Sequence, residues 1–198
     1  VGYLVWMAPA AVVEGRARVR CGGGSGPWPV LSRHVQSAVT GLAVVAGLYA
    51  AYHGPDGLRD IALRVHGYAA VLAAGLRRGG VDVVHEQLFD TVRAVVPGRA
   101  EQVVAAAADR GVNLRLVDGD HVGITCDEVT EDCHVEAVWS AFSDAGASDG
   151  PLLTVSDVEP GLLLGAPARR TSAYLTHPVF SAHHSETQML RYVRRLAG

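Results

Sequence analysis

The chain contains no lysine: all 17 of its basic residues are arginine. A Schiff base with a carbonyl cofactor needs a primary side-chain amine, so no side chain here can hold such a cofactor covalently. Cysteine is nearly as scarce. Cys21, Cys126 and Cys133 are odd in number and lack CxxC spacing, which argues against a disulfide framework and a zinc knuckle and leaves buried or idle thiols. Aromatic residues make up only 6% of the chain and do not interleave with the scattered arginines. With a formal charge of -3, the electrostatic footprint of nucleic-acid binding is missing. Long apolar runs are also lacking. Residues 35–52 are interrupted by Gln36, Ser37, Thr40 and Gly47, so no stretch reaches the roughly 18 residues that suggest a membrane span. No membrane partner is expected, and the expected location is cytoplasmic.

What is present suits a globular chain of one domain or slightly more: 198 residues, 49% of them hydrophobic, can bury a core. Residues 1–30 include GRARVRCGGGSGPWP, whose glycines and prolines prevent regular structure. The run Cys21-Gly-Gly-Gly-Ser-Gly resembles a phosphate cradle, but no strand precedes it and no Lys-Ser/Thr follows. From 31 to 53 small and aliphatic residues fill nearly every face, the pattern of a buried helix, and Gly54-Pro55 ends it. In a second helix, Leu58, Ile61, Val65, Tyr68, Leu72 and Leu76 recur at three- and four-residue steps until Gly79-Gly80.

The period then shortens. VDVV and LFDTVRAVV read as strands, RAEQVVAAAADRG as a helix closed by Gly111, and NLRLV and HVGITC as a hairpin turned at Asp118-Gly119. Thr130-x-x-Cys133 opens a further helix with Val135, Val138, Trp139 and Phe142 on one face. This order predicts an antiparallel or mixed sheet with helices on one face, an α+β layer. Residues 143–168 read as an extended connector. The predicted organisation is an irregular segment over 1–30, a helical hairpin over 31–80, an α+β domain over 81–145, and an extended bridge with a terminal helix over 146–198.

The closing segment RTSAYLTHPVFSAHHSETQMLRYVRRLAG crowds Thr176, His177, His183, His184, Ser185 and Glu186 together. Ser185 with Gln188 reads as a capping box, which gives that serine a structural task and weakens any hydrolase reading. His183 and His184 are adjacent and diverge on regular backbone, so they do not suit one metal ion. His177, before Pro178, is held extended and can present its ring to a ligand, though satisfaction by nearby backbone is the competing reading. Tyr49, Tyr52 and His53 in LYAAYHGP read as packing and capping residues at a helix end.

LYAAYHGPDGLRDIALRVHGYAAVLAAGL, LFDTV, GVNLRLVDGDHVGIT and the closing THPVF and HSET motifs together resemble the P-protein of the glycine cleavage system. The resemblance runs in order from about Ser32 to Gly198; upstream of Ser32 the chain departs from the family pattern. It implies the end of the first of two homologous halves. That end comprises the small C-terminal domain of a half resembling a fold-type I pyridoxal-phosphate enzyme, preceded by long helices and followed by an extended bridge. It further implies a family reaction in which glycine is decarboxylated on pyridoxal phosphate and the aminomethyl group passes to the lipoyl H-protein. The cofactor lysine belongs to the second half, so this chain is expected to carry no catalytic, cofactor-binding or metal residue and to be inactive alone. Thr176, His177, His184 and Glu186 match the family's bridge motif and are implied to line the cleft. The alternative is a non-catalytic binding or oligomerisation module.

Overall fold

The computed structural model describes residues 28–150, 153–158 and 170–198, with side chains from residue 39 onward. The glycine run at 21–26, most of segment 1–30 and much of the connector lie outside them. The chain divides into two compact units, one formed by the chain up to Arg59 together with Ala173–Gly198, the other by Asp60–Ser172.

Helix α1, Trp28–Arg78, contributes to both units and is interrupted once, at Gly54. Gly54 takes φ 66° and ψ -176°, a left-handed conformation that glycine adopts without steric cost, and Pro55 behind it cannot donate a backbone hydrogen bond. The expected end at Gly54-Pro55 is thus a break, and a new helical stretch starts at once. The expected burial of its first stretch is not observed. Val39, Leu42, Val44 and Val45 are all about half exposed or more, and only near Ala50 and Ala51 does the helix become buried. An apolar surface on every side lets a helix be buried, but a second layer must cover each face, and the described residues cover only its last turns.

In the Asp60–Ser172 unit, the remainder of α1 buries Val65, Ala69, Leu72, Ala73 and Leu76, with Ile61 and Tyr68 half-buried against the same core, as the helical period predicts. Gly80, at φ 82°, marks its end. Four antiparallel strands follow: β1 Asp82–Val83, β2 Thr91–Val95, β3 Arg115–Asp118 and β4 His121–Thr125, in the order β1-β2-β4-β3. Val92 pairs with Ile124 and Ala94 with Val122, so the alternate residues of β2 and β4 place all four on one buried face. β3 is an edge strand exposed along its length and joined to β4 by a two-residue loop, Gly119-Asp120.

Helix α2, Ala100–Ala108, buries Ala100, Val103 and Ala107, and Gly111 at φ 76° lets the chain turn away from its end. Helix α3, Asp132–Asp144, buries Val135, Val138, Trp139, Ala141 and Phe142, and α2, α3, the sheet and α1 share one core. This unit is the expected α+β layer. One boundary differs. Glu131, not Thr130, is the N-cap of α3: its backbone carbonyl accepts from the His134 amide at 3.0 Å, and His134 Nδ1 accepts from the Glu131 amide at 3.0 Å. Thr130 instead bonds Asp127, its hydroxyl donating to the carboxylate at 2.9 Å and accepting from the Asp127 amide at 2.9 Å.

Trp139 lies directly on Gly75 of α1, where an added methyl would overlap its indole ring, and its Nε1 donates to the Leu72 carbonyl at 3.2 Å. Glycine therefore sets how closely α3 approaches α1.

Candidate functional site

Two places in the chain gather polar chemistry. The first is a cavity of about 210 Å³ in the Asp60–Ser172 unit, lined by Leu72, Ile124, Cys126, Thr130, His134 and Val138 among others. Burial, followed by the nearby Asp127 and Asp90 carboxylates, pushes the Cys126 thiol up to about 12. A thiol so placed stays protonated at neutral pH and is not a nucleophile. Nδ1 of His134 is already engaged by the Glu131 amide, and the Thr130 hydroxyl by Asp127. The cavity therefore mixes apolar side chains with polar ones such as Asn113, Thr125 and Asp127, and its thiol is not an activated nucleophile.

The second lies where the break in α1 meets the closing segment, both within the unit of the first 59 residues and Ala173–Gly198. A helix break leaves the carbonyls of the preceding turn without their usual donors. His184 Nδ1 lies 2.6 Å from the Tyr52 carbonyl, and the Tyr174 hydroxyl donates to the Pro55 carbonyl, so two side chains from the closing segment serve the two sides of the break. Gly54 is enclosed by the same segment: a methyl there would stand 2.6 Å from the Phe180 carbonyl oxygen and 2.8 Å from His184 Cε1. LYAAYHGP and YLTHPVFSAHHS, more than a hundred residues apart, thus form one contact surface. His53 completes it, its ring centroid 4.3 Å from Tyr49 and 5.1 Å from Tyr52.

Each residue singled out from the closing segment has a definite place. Leu175 takes φ 51°, strained for a side chain with a γ-branch, and directs the chain into Thr176 and His177, both exposed. His177 is extended, as the following Pro178 requires, and caps a short 3₁₀ turn, Pro178–Ser181; its Nδ1 accepts from the Val179 amide at 3.2 Å. The backbone-satisfied reading of His177 is correct for that nitrogen. His183 and His184 do diverge: His183 stacks on Tyr192, centroids 4.4 Å apart, while His184 turns to α1. Ser185 is the N-cap of helix α4, Glu186–Ala197, accepting from the Gln188 amide at 3.3 Å. Glu186 occupies the first turn, where the helix dipole favours a carboxylate.

Thr176, His177 and Glu186 are therefore exposed residues of one segment, and only His184 is tied directly to α1. Tyr174, Leu175 and Gly54 were not legible as site residues. Nothing in a tyrosine's sequence neighbourhood reveals a carbonyl 119 positions away, and a positive φ at leucine contradicts its local preference. Among the described residues, no group of three or more His, Cys, Asp or Glu side chains is placed to hold a metal ion, and no helix is long and apolar enough to cross a membrane.

The Asp60–Ser172 unit is an α+β layer, and in the other unit the closing segment clamps the break in α1 through His184 and Tyr174. The model of the glycine cleavage system P-protein family matches residues 34–142, more than half of the chain, and the chain belongs to that family. The matched span contains the YHGP break, the whole sheet and nearly all of α3; the closing segment lies beyond it.

Proposed function

We propose that this chain forms the end of the first half of a glycine-decarboxylating P-protein, the small domain of a half resembling a fold-type I pyridoxal-phosphate enzyme, together with the bridge that follows it. The observation that supports it is the family match across α1, the sheet and α3. In this reading residues 31–80 are the helical approach, 81–145 the small domain and 146–198 the bridge.

Pyridoxal phosphate supplies an electron sink for decarboxylation when bound by such an enzyme. Its covalent attachment needs a lysine, which this sequence lacks, so the residues present do not fit it as hosts. The second half, or a second subunit, contributes the cofactor, and glycine and the lipoyl H-protein meet it in a cleft to which this chain contributes Thr176, His177, His184 and Glu186. Their task is orientation and polar contact. His184 is fixed by the Tyr52 carbonyl and Glu186 by its place at the α4 N-terminus, so each can hold a ligand group without reordering its own backbone.

The test is glycine–carbon dioxide exchange with lipoyl H-protein. The chain alone should show none, and exchange should appear when a cofactor-bearing second half is added. Replacing His177 and His184 by Ala in the reconstituted enzyme should lower exchange by about 10-fold or more, the scale of lost positioning. Exchange by the chain alone would overturn the reading. Failure of any second half to associate would favour the alternative, a non-catalytic binding or oligomerisation module.

A further inference from the structure

We infer that His177 and His184 are held in opposite neutral tautomers, so that the closing segment offers one fixed hydrogen-bond donor and one fixed acceptor to a ligand. Each backbone partner can play only one hydrogen-bonding role. The Tyr52 carbonyl oxygen only accepts, so His184 Nδ1, 2.6 Å away, carries the proton. The Val179 amide only donates, so His177 Nδ1, 3.2 Å away, carries none. In a neutral imidazole the second nitrogen is the opposite of the first. His177 therefore presents Nε2–H, a donor, and His184 presents a bare Nε2, an acceptor. Both side chains are exposed.

The backbone around them opposes any exchange of roles. Turning the His184 ring away would leave the Tyr52 carbonyl at the break without its donor, and the ring packs against Gly54, where even a methyl would stand 2.8 Å from Cε1. Flipping His177 would remove the cap of the Pro178–Ser181 turn. The chemical class of ligand follows. A carboxylate, carbonyl or phosphate oxygen is accepted at His177, and an ammonium, amide or hydroxyl hydrogen at His184; the reversed arrangement meets a donor with a donor and an acceptor with an acceptor. That these groups face a cleft rests on the proposed function; the tautomers themselves do not.

The experiment is long-range proton–nitrogen correlation spectroscopy of the full chain labelled with 15N-histidine, at a pH where the rings are neutral. Resonances are assigned by the loss of one set in each of His177→Gln and His184→Gln. The expected result is a protonated Nε2 and bare Nδ1 for His177, and the reverse for His184. The same tautomer in both, or averaging between forms in either, overturns the inference. Amide exchange gives a second readout that does not need the Gln variants to fold. His177→Asn, whose side-chain oxygen can stand in for Nδ1, should retain protection of the Val179 amide, and His177→Ala should lose it; equal loss in both overturns the role of Nδ1 as acceptor. Opposite tautomers combined with unimpaired exchange in the reconstituted histidine variants would retire the cleft reading alone.

Discussion

Burial and hydrogen-bond partners, more than residue type, set what the ionisable side chains can do. Cys126 and Cys133 read alike in the sequence, yet Cys126 is buried with its thiol pushed up to about 12, while Cys133 is exposed in the first turn of α3. In a Cys21→Ser background, a disulfide reagent at neutral pH should titrate Cys133 promptly and Cys126 only as the protein unfolds. Prompt reaction of both would mean that the cavity opens to solvent. Asp118 is governed by its partners as well. The hydrogen bond from His121 Nδ1, 2.7 Å away, and then that from the Asp120 amide hold its carboxyl below the ordinary 3.8, with Arg93 adding a smaller attraction. Because the folded value is depressed, the stabilisation is fully present above 3.8 and fades as pH falls through the lower folded value. Asp118→Asn should therefore be less stable than the parent at neutral pH, and the difference should close on acidification, as read from urea midpoints across the acid range. A difference that persists unchanged in acid would assign it to the turn at Gly119-Asp120 instead of to charge.

Among the elements, periodicity was the most dependable guide. The three- and four-residue spacing from Ile61 to Leu76 and the alternation of Val92 with Ala94 and of Val122 with Ile124 correspond to the faces that are buried. Helix starts were less legible, because capping depends on which nearby side chain reaches the amide: Glu131 displaces Thr130, which prefers Asp127. Gly54 announced a break through its neighbour Pro55, but Gly75 gave no signal, being one more small residue in an alanine-rich helix. Its importance comes from Trp139 lying upon it. Gly75→Ala should raise local helix propensity by up to about 1 kcal/mol, yet overpack the α1–α3 contact at a cost of about 1–3 kcal/mol. The net effect should be destabilising in chemical denaturation, with far-ultraviolet dichroism unchanged under native conditions. A stabilised variant would show that the tryptophan moves aside without loss.

At the scale of the whole molecule, the exposed apolar surface is as informative as the core. Leu190, Val193 and Leu196 of α4 are 54%, 39% and 64% exposed, and the first stretch of α1 exposes Val39, Leu42, Val44 and Val45. Burying side chains of this kind is typically worth roughly 1.5–3 kcal/mol each, so the isolated chain should self-associate. Leu190→Ser with Val193→Ser should shift it towards monomer in analytical ultracentrifugation with little loss of helix, since neither residue caps an end; unfolding of the double variant would show instead that α4 packs within its own unit. Composition and spacing were sufficient for the absent covalent cofactor host, the α+β class, the break at Gly54-Pro55 and the Ser185 cap, because each depends on residues within a few positions or on a residue type that is missing altogether. Which apolar faces are covered, which histidine nitrogen carries a proton, and how YHGP and THPVFSAHH meet across more than a hundred residues required the folded chain. Those properties are set by contacts between distant segments, and local sequence carries no record of the partner.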